Sequence, residues 1–211
     1  MALVLAETEM AAQEAAELVL VDYEALPVLV SPVNSMQDGS PLIWSNAPKN
    51  IAYRFKKGDK DSIAAAFDAA AHIVELDLEN NRVMALPIEP RAGIGEYDPE
   101  NGVMRLICTA QGVHAIREQL AQSVFSMDEK KIQISAPDVG GGFGLKNFLF
   151  PEWVLLLWAS KKQRRAVKWV ADRAEDHTAS LHGRDIRTVA KLALDQEGRF
   201  LALQANLTAN M

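Results

Sequence analysis

The chain has 211 residues, 49% hydrophobic and 24% charged, with a formal net charge of -6. That length and balance predict a soluble globular protein of one or two domains with a sizeable core. The acidic balance argues against nucleic acid as a partner, and no apolar run approaches the roughly 18 residues that span a bilayer. Cys108 is the only cysteine, so an internal disulfide and a cysteine-bound cluster are both excluded. The N-terminal residues lack the basic region and length of a secretory signal, so a cytoplasmic location is expected.

In chain order, Leu3-Val4-Leu5 reads as a short strand. Thr8 is placed to cap a helix reaching about Leu18, with Met10, Ala11, Ala15 and Leu18 on one face. Residues 19–23 and 28–30 read as strands separated by Pro27. Residues 31–49 hold Pro32, Gly39, Pro41 and Pro48 and read as a connection, pinned by Ile43 and Trp44. Asp59 or Asp61 caps a helix through Ala71, and a strand follows over 72–78. Residues 93–97 and 103–109 predict a hairpin whose Asn101-Gly102 supplies positive φ. A helix is expected over 112–125, a strand over 132–136, a buried helix over 153–159 and a strand over 166–170. Asp172 caps a further helix to about Leu181, and residues 188–195 and 200–207 form a last hairpin. The sum is an α+β fold with mixed sheets.

Asp138-Val139-Gly140-Gly141-Gly142-Phe143-Gly144-Leu145-Lys146 stands out. Glycine reaches backbone angles closed to other residues and lets another group approach the main chain, at a cost in order. Between a strand and a helix, such a loop can point its amides at an anion. The run fits neither a phosphate loop, lacking the closing Gly-Lys-Ser/Thr, nor a dinucleotide fingerprint. Taken alone it is equally well a tight, closely packed turn. Several other residues have structural readings. His177 and His182 are five apart, not the helical four, and do not suggest a metal site. The basic run from Lys161 to Arg165 reads as a solvated helix end that suits the dipole. Glu89 and Arg91, flanking Pro90, read as structural hydrogen-bonding residues, and 172–176 as a helix start.

Seven segments in consistent order carry a resemblance. They are Pro87-Ile88-Glu89-Pro90-Arg91-Ala92 with Glu96-Tyr97-Asp98; Thr109-Ala110-Gln111-Gly112-Val113-His114; Ala136-Pro137-Asp138-Val139 running into the glycine loop; Val167-Lys168-Trp169; His182-Gly183-Arg184-Asp185; Leu192-Ala193-Leu194-Asp195; and, upstream, Val21-Asp22-Tyr23-Glu24-Ala25-Leu26-Pro27. Together they resemble the large, molybdopterin-binding subunit of the molybdenum hydroxylases, of the carbon monoxide dehydrogenase and xanthine dehydrogenase type. The resemblance implies the end of an α/β hammerhead-like domain and linker over 1–48. It implies the first part of a molybdopterin-binding domain with mixed sheets over 49–211.

The resemblance also implies a chemistry. A molybdenum–molybdopterin cofactor oxidises a small substrate with oxygen from water, and electrons leave through iron–sulfur clusters to FAD on partner subunits. Gln111 matches a glutamine that donates a hydrogen bond to an oxygen on molybdenum, a task suited to an uncharged amide. Gly140, Gly141, Gly142, Phe143 and Gly144 match the loop that lies against the metal centre. No metal ligand and no catalytic residue is expected within the chain, because the family's catalytic glutamate lies beyond its end. Leu145 stands where the family often has glycine or asparagine, Asn147 stands where xanthine-type members have a substrate-directing glutamate, and Pro151-Glu152 with its apolar helix is closer to the carbon monoxide dehydrogenase-like branch. Two readings follow. In one, the chain supplies part of a cofactor site, is inactive alone, and works with a separate C-terminal half and with iron–sulfur and FAD subunits. In the other, it is a non-catalytic truncated relic or interaction domain that folds alone. For the purified fragment, apolar surface that the missing half would cover is expected to be exposed and to drive self-association.

Overall fold

Thr8, Asp59 and Asp172 each end an extended segment and open a helix, because a short side-chain oxygen can take an amide that the first turn leaves unpaired. In the computed structural model, which describes residues 2–210, Thr8 accepts from Ala11 N ahead of the Glu9–Glu17 helix. Asp59, not Asp61, caps Lys60–Asp68 and also takes the Ser62 hydroxyl at 2.6 Å. Asp172 caps Arg173–Ala179 through Glu175 N at 2.7 Å. The last two helices end earlier than expected, at Asp68 and Ala179.

Contacts divide the chain into two compact units. One holds the residues up to Tyr23 together with Met84–His182, and the other holds Glu24–Val83 together with the residues from Gly183 onward. The first unit is built on a four-stranded mixed sheet. Its order is Ile132–Ser135, Val103–Cys108, Ala92–Asp98, Val167–Val170. Ala92–Asp98 runs antiparallel to both of its neighbours, whereas Val103–Cys108 and Ile132–Ser135 are parallel. Alternation along Val103–Cys108 turns Met104, Leu106 and Cys108 inward, where they are buried. The Pro151–Gln163 helix lays Trp153, Leu156, Leu157 and Ser160 on the sheet, the i, i+3, i+4, i+7 stripe of a core-facing helix. Trp153 donates its indole N–H to the Ala92 carbonyl at 3.1 Å and meets Phe150 edge-on at 5.4 Å. Burial pushes the Cys108 thiol up to about 12.

The helix expected over 112–125 is α-helical only over Val113–Gln119. It widens to a π turn over Leu120–Val124, where Phe125 N donates to Leu120 O at 2.9 Å. Leu120 and Ala121, at the start of the wide turn, are both buried. In the hairpin only Gly102 takes positive φ, at 63°, and Asn101 instead bonds Asp98.

The second unit is a three-stranded antiparallel sheet with Ile186–Leu194 between His72–Asn80 and Phe200–Ala209. Asp77–Arg187 and Glu75–Lys191 pair across its strands at 2.7 and 2.8 Å. Ile73, Val74, Leu76, Leu78, Phe200, Leu201, Leu203 and Leu207 stay exposed on these strands.

Three expected strands, at 3–5, 19–23 and 28–30, do not form. They are extended in sequence preference, but no neighbouring strand among the described residues pairs their backbones, and a strand is defined by that pairing. Ile43 and Trp44 do not pin the 31–49 connection either, being 61% and 70% exposed. Asn50 organises it instead: its amide donates to Ser35 O and Pro41 O at 2.9 and 3.0 Å and accepts from Ile43 N at 2.8 Å.

Gly93 and Gly95 set how closely helix and sheet approach. A Cβ on Gly95 would fall 2.6 Å from the Leu156 carbonyl carbon, a backbone atom that cannot step aside. Gly95→Ala is therefore expected to destabilise the first unit by about 1–3 kcal/mol. The midpoint of denaturant unfolding should fall accordingly, and an unchanged midpoint would show that the helix shifts freely.

Candidate functional site

The 140–144 loop follows the Ile132–Ser135 strand after residues 136–139, and it needs glycine for two separate reasons. The first is space. A Cβ on Gly140 would lie 2.7 Å from Glu89 Cβ, and one on Gly142 would lie 2.4 Å from Gln111 Cδ. The second is conformation. Gly141 and Gly144 have φ of 100° and 85°. Leu145 N donates to Gly142 O at 2.9 Å, closing a turn whose central residues, Phe143 and Gly144, both have positive φ. This is the type I′ pattern. Phe143 occupies the left-handed region at φ 51° and is 76% exposed. A bulky residue there is strained by about 1–3 kcal/mol, and such strain collects at functional sites.

Gln111 and this loop are adjacent. Gly144 N donates to Gln111 Oε1 at 3.0 Å, and Gln111 N donates to Lys146 O at 2.8 Å. Because Oε1 accepts from a backbone amide, the side-chain orientation is set and Nε2 is the outward donor. Among the described residues Nε2 makes no hydrogen bond, and neither do the amides of Gly141, Gly142 and Phe143. Gly142 is buried, so the surface donors are the Gln111 side-chain amide and the N–H groups of Gly141 and Phe143, a small cradle suited to an anionic or oxygen-rich ligand.

Glu89, Arg91 and Lys146 hold this cradle. Lys146 is fully buried and donates to Glu89 O at 2.9 Å and Glu89 Oε2 at 2.8 Å. Glu89 Oε2 also accepts from Gly140 N at 2.8 Å. Arg91, buried as well, donates to Asp176 Oδ1 at 2.8 Å and to Glu152 Oε2 at 3.0 Å. Its guanidinium lies 4.2 Å from the Phe150 ring centroid and 5.6 Å from that of Trp169. Arg173 takes the Pro87 and Ile88 carbonyls at 2.8 and 2.5 Å. Glu175, beside this cluster, has its carboxyl raised, first by burial and then by the Asp172 and Glu152 charges.

Glu89 and Arg91 are thus structural hydrogen-bonding residues, as their flanking of Pro90 implies. Sequence reasoning missed the burial of Lys146 and of Asp176. Asp172 does start a helix, but Asp176, four residues on, turns inward to Arg91. The basic run stays exposed at its helix end, with Lys161 and Lys162 near the Tyr97 and Trp158 rings. No group of histidine, cysteine and carboxylate side chains suited to a metal exists among the described residues.

Two outcomes test this construction. Phe143→Gly should leave the fold intact and raise stability by about 1 kcal/mol, since little ring surface is buried and the left-handed strain disappears. A loss of stability in thermal unfolding would mean the ring is a packing residue. Asp176→Ala should cost about 3–5 kcal/mol by stranding a buried guanidinium, and Arg91→Met with Asp176→Leu should recover most of it. Equal losses in the single and double variants would remove the charge pair as the cause.

A family model for the molybdopterin cofactor-binding domain matches residues 43–211. The carbon monoxide dehydrogenase large chain of Hydrogenophaga pseudoflava is 30% identical over 221 residues, covering 99% of this chain and 27% of the relative. The nicotine 6-hydroxylase large subunit of Paenarthrobacter nicotinovorans is 34% identical over 207 residues, covering 97% of this chain and 25% of the relative. The solved structure of reconstituted CO dehydrogenase from Oligotropha carboxidovorans matches with a TM-score of 0.85 at 32% identity, covering 94% of this chain and 26% of that one. The chain spans about a quarter of the length of these relatives. It belongs to the molybdopterin cofactor-binding family and resembles the large subunits of molybdenum hydroxylases.

Proposed function

We propose that this chain contributes one wall of a molybdenum–molybdopterin site in an oxidoreductase of the carbon monoxide dehydrogenase and aldehyde oxidase-like branch, acting on a small substrate. The observation that carries the reading is the unspent Nε2 donor of Gln111, held in place by Gly144 N beside the unpaired amides of Gly141 and Phe143, with Gly142 buried beneath the Gln111 side chain. That donor set fits a cofactor bearing oxygen on its metal and negative charge on its pterin side. When bound, the cofactor supplies the oxidation, with oxygen taken from water. Gln111 offers a neutral amide, which polarises an acceptor without adding a proton to be managed. The loop amides offer partial positive charge at close range, because glycine places no side chain in the way. Phe143 presents an exposed ring at the edge of the cradle, where it can exclude water once covered.

In this reading Gln111, Gly140, Gly141, Gly142, Phe143 and Gly144 are the cofactor-facing residues, and the catalytic base comes from elsewhere in the assembly. The family boundary between hammerhead-like and cofactor-binding segments is placed near residue 48. Iron–sulfur and FAD subunits are the partners, together with the remaining portion of the large subunit, in the cytoplasm. No helix among the described residues is long and apolar enough to cross a membrane. The exposed apolar strands of the second unit are where a covering partner, or another copy, would gain most.

Activity tests this directly. The purified 211-residue chain should hold well under one molybdenum per chain and turn over neither carbon monoxide nor aldehydes, because the cradle donates from one side only. One molybdenum per chain with turnover would overturn this. In an assembled enzyme carrying this chain, Gln111→Ala should lower kcat by about 10²–10³, the cost of removing one preorganised donor. A kcat unchanged by Gln111→Ala would remove Gln111 from the site.

A further inference from the structure

We infer that Lys146 and Glu89 are positioning residues that latch the glycine loop and Gln111 into register. The inference rests on the site reading above, but the latch is a property of the chain itself. Four observations meet at this pair. Lys146 is wholly buried, yet its ammonium finds a carboxylate and a carbonyl on one residue, Glu89. Glu89 grips Gly140 at two points: Glu89 N donates to Gly140 O at 3.4 Å, and Glu89 Oε2 accepts from Gly140 N at 2.8 Å. The main-chain carbonyl of Lys146 takes Gln111 N at 2.8 Å. Gln111 Oε1 then takes Gly144 N at 3.0 Å, which closes a ring of contacts around the open loop amides.

The chemistry of the pair suits holding rather than reacting. A buried ammonium is stable only with its charge matched and its hydrogens spent on acceptors. Hydrogen bonds that carry charge are shorter and stronger than neutral ones, so they fix geometry well. The alternative to a latch would be a loop of four glycines left to sample many conformations, with its donors aligned only part of the time. Lys146 cannot reach an outside ligand, because it is covered and its ammonium is directed at Glu89. Its effect on any bound group passes through Gly140 and Gln111. The latch thus predicts a local effect: loosening it should disorder the loop while leaving the sheet core as it is.

Amide hydrogen exchange on the full 211-residue chain, measured without cofactor, separates latch from general support. Lys146→Met removes the ammonium and keeps most of the volume. Adding Glu89→Gln removes the opposing charge, so the double variant strands no buried ion and serves where the single variant folds poorly. The expected result in the double variant is exchange at Gly140 and Gly144 at least about tenfold faster, the equivalent of one lost charge-assisted hydrogen bond. Core amides of Leu106 and Ile116 should keep their wild-type rates, and the Gln111 Nε2 resonances should collapse toward a solvent-averaged position. Uniform acceleration across loop and core would overturn the proposal and make Lys146 a general packing residue. Wild-type exchange at Gly140 and Gly144 would overturn it as well. The site reading fails by a different result, an unchanged kcat on Gln111→Ala, so the two can be told apart.

Discussion

A single buried guanidinium organises the first unit. Arg91 enters the Ala92–Asp98 strand from the Pro87–Pro90 segment and reaches the Arg173–Ala179 helix through Asp176 and the Pro151–Gln163 helix through Glu152. It also lies over the rings of Phe150 and Trp169. Removing such a charge from water is costly, and only simultaneous ion pairing, ring contact and hydrogen bonding offset the cost. All of those partners must therefore be in place together. The main chain around it is tied down as well, since Ala171 N donates to Arg91 O at 2.9 Å. Glu89 lies two residues upstream of this fixed point, so the grip on the glycine loop is mounted on the most constrained part of the unit.

The loop itself runs against stability. Four glycines lose more freedom on folding than any other residues would, and Phe143 sits in a backbone region that favours glycine. Its ring lies mostly in solvent rather than repaying that strain by burial. The compensation comes from outside the loop, from Glu89, Gln111 and the buried Lys146. Strain in one segment, held by rigid neighbours and leaving several amide donors unspent, is the pattern of a preorganised binding surface. The surface lies within the span that matches a molybdopterin cofactor-binding domain, residues 43–211.

The second unit contrasts with the first. Its strands are paired in register and crossed by ion pairs, yet Ala193 is the one residue of the three strands that is buried. Apolar side chains on open sheet faces lose little contact with water, so the ladder hydrogen bonds and cross-strand pairs carry more of its order. The chain matches about a quarter of the length of its relatives, and such faces have the chemistry of surfaces that are covered in a larger assembly.

Much of this was legible in the sequence. Caps at Thr8, Asp59 and Asp172, the hairpin around Gly102, the apolar stripe from Trp153 to Ser160 and the final hairpin are all local patterns, set by side chains that act within a few residues. The glycine run and Gln111 were visible as well, and ordered segments related them to a known family. What local pattern could not decide was pairing and burial. Residues 19–23 and 28–30 have strand-like preference but no partner strand, and Trp44 has the size of a core residue but no core to enter. Conversely, Lys146 and Asp176 have the chemistry of surface residues, and only long-range contact with Glu89 and Arg91 makes their burial possible. By itself the sequence determined where helices start, where the chain turns and where its backbone can be approached. The tertiary structure alone decided which charges are buried and which donors are left open, because those depend on groups 57 and 85 residues apart along the chain that meet only on folding.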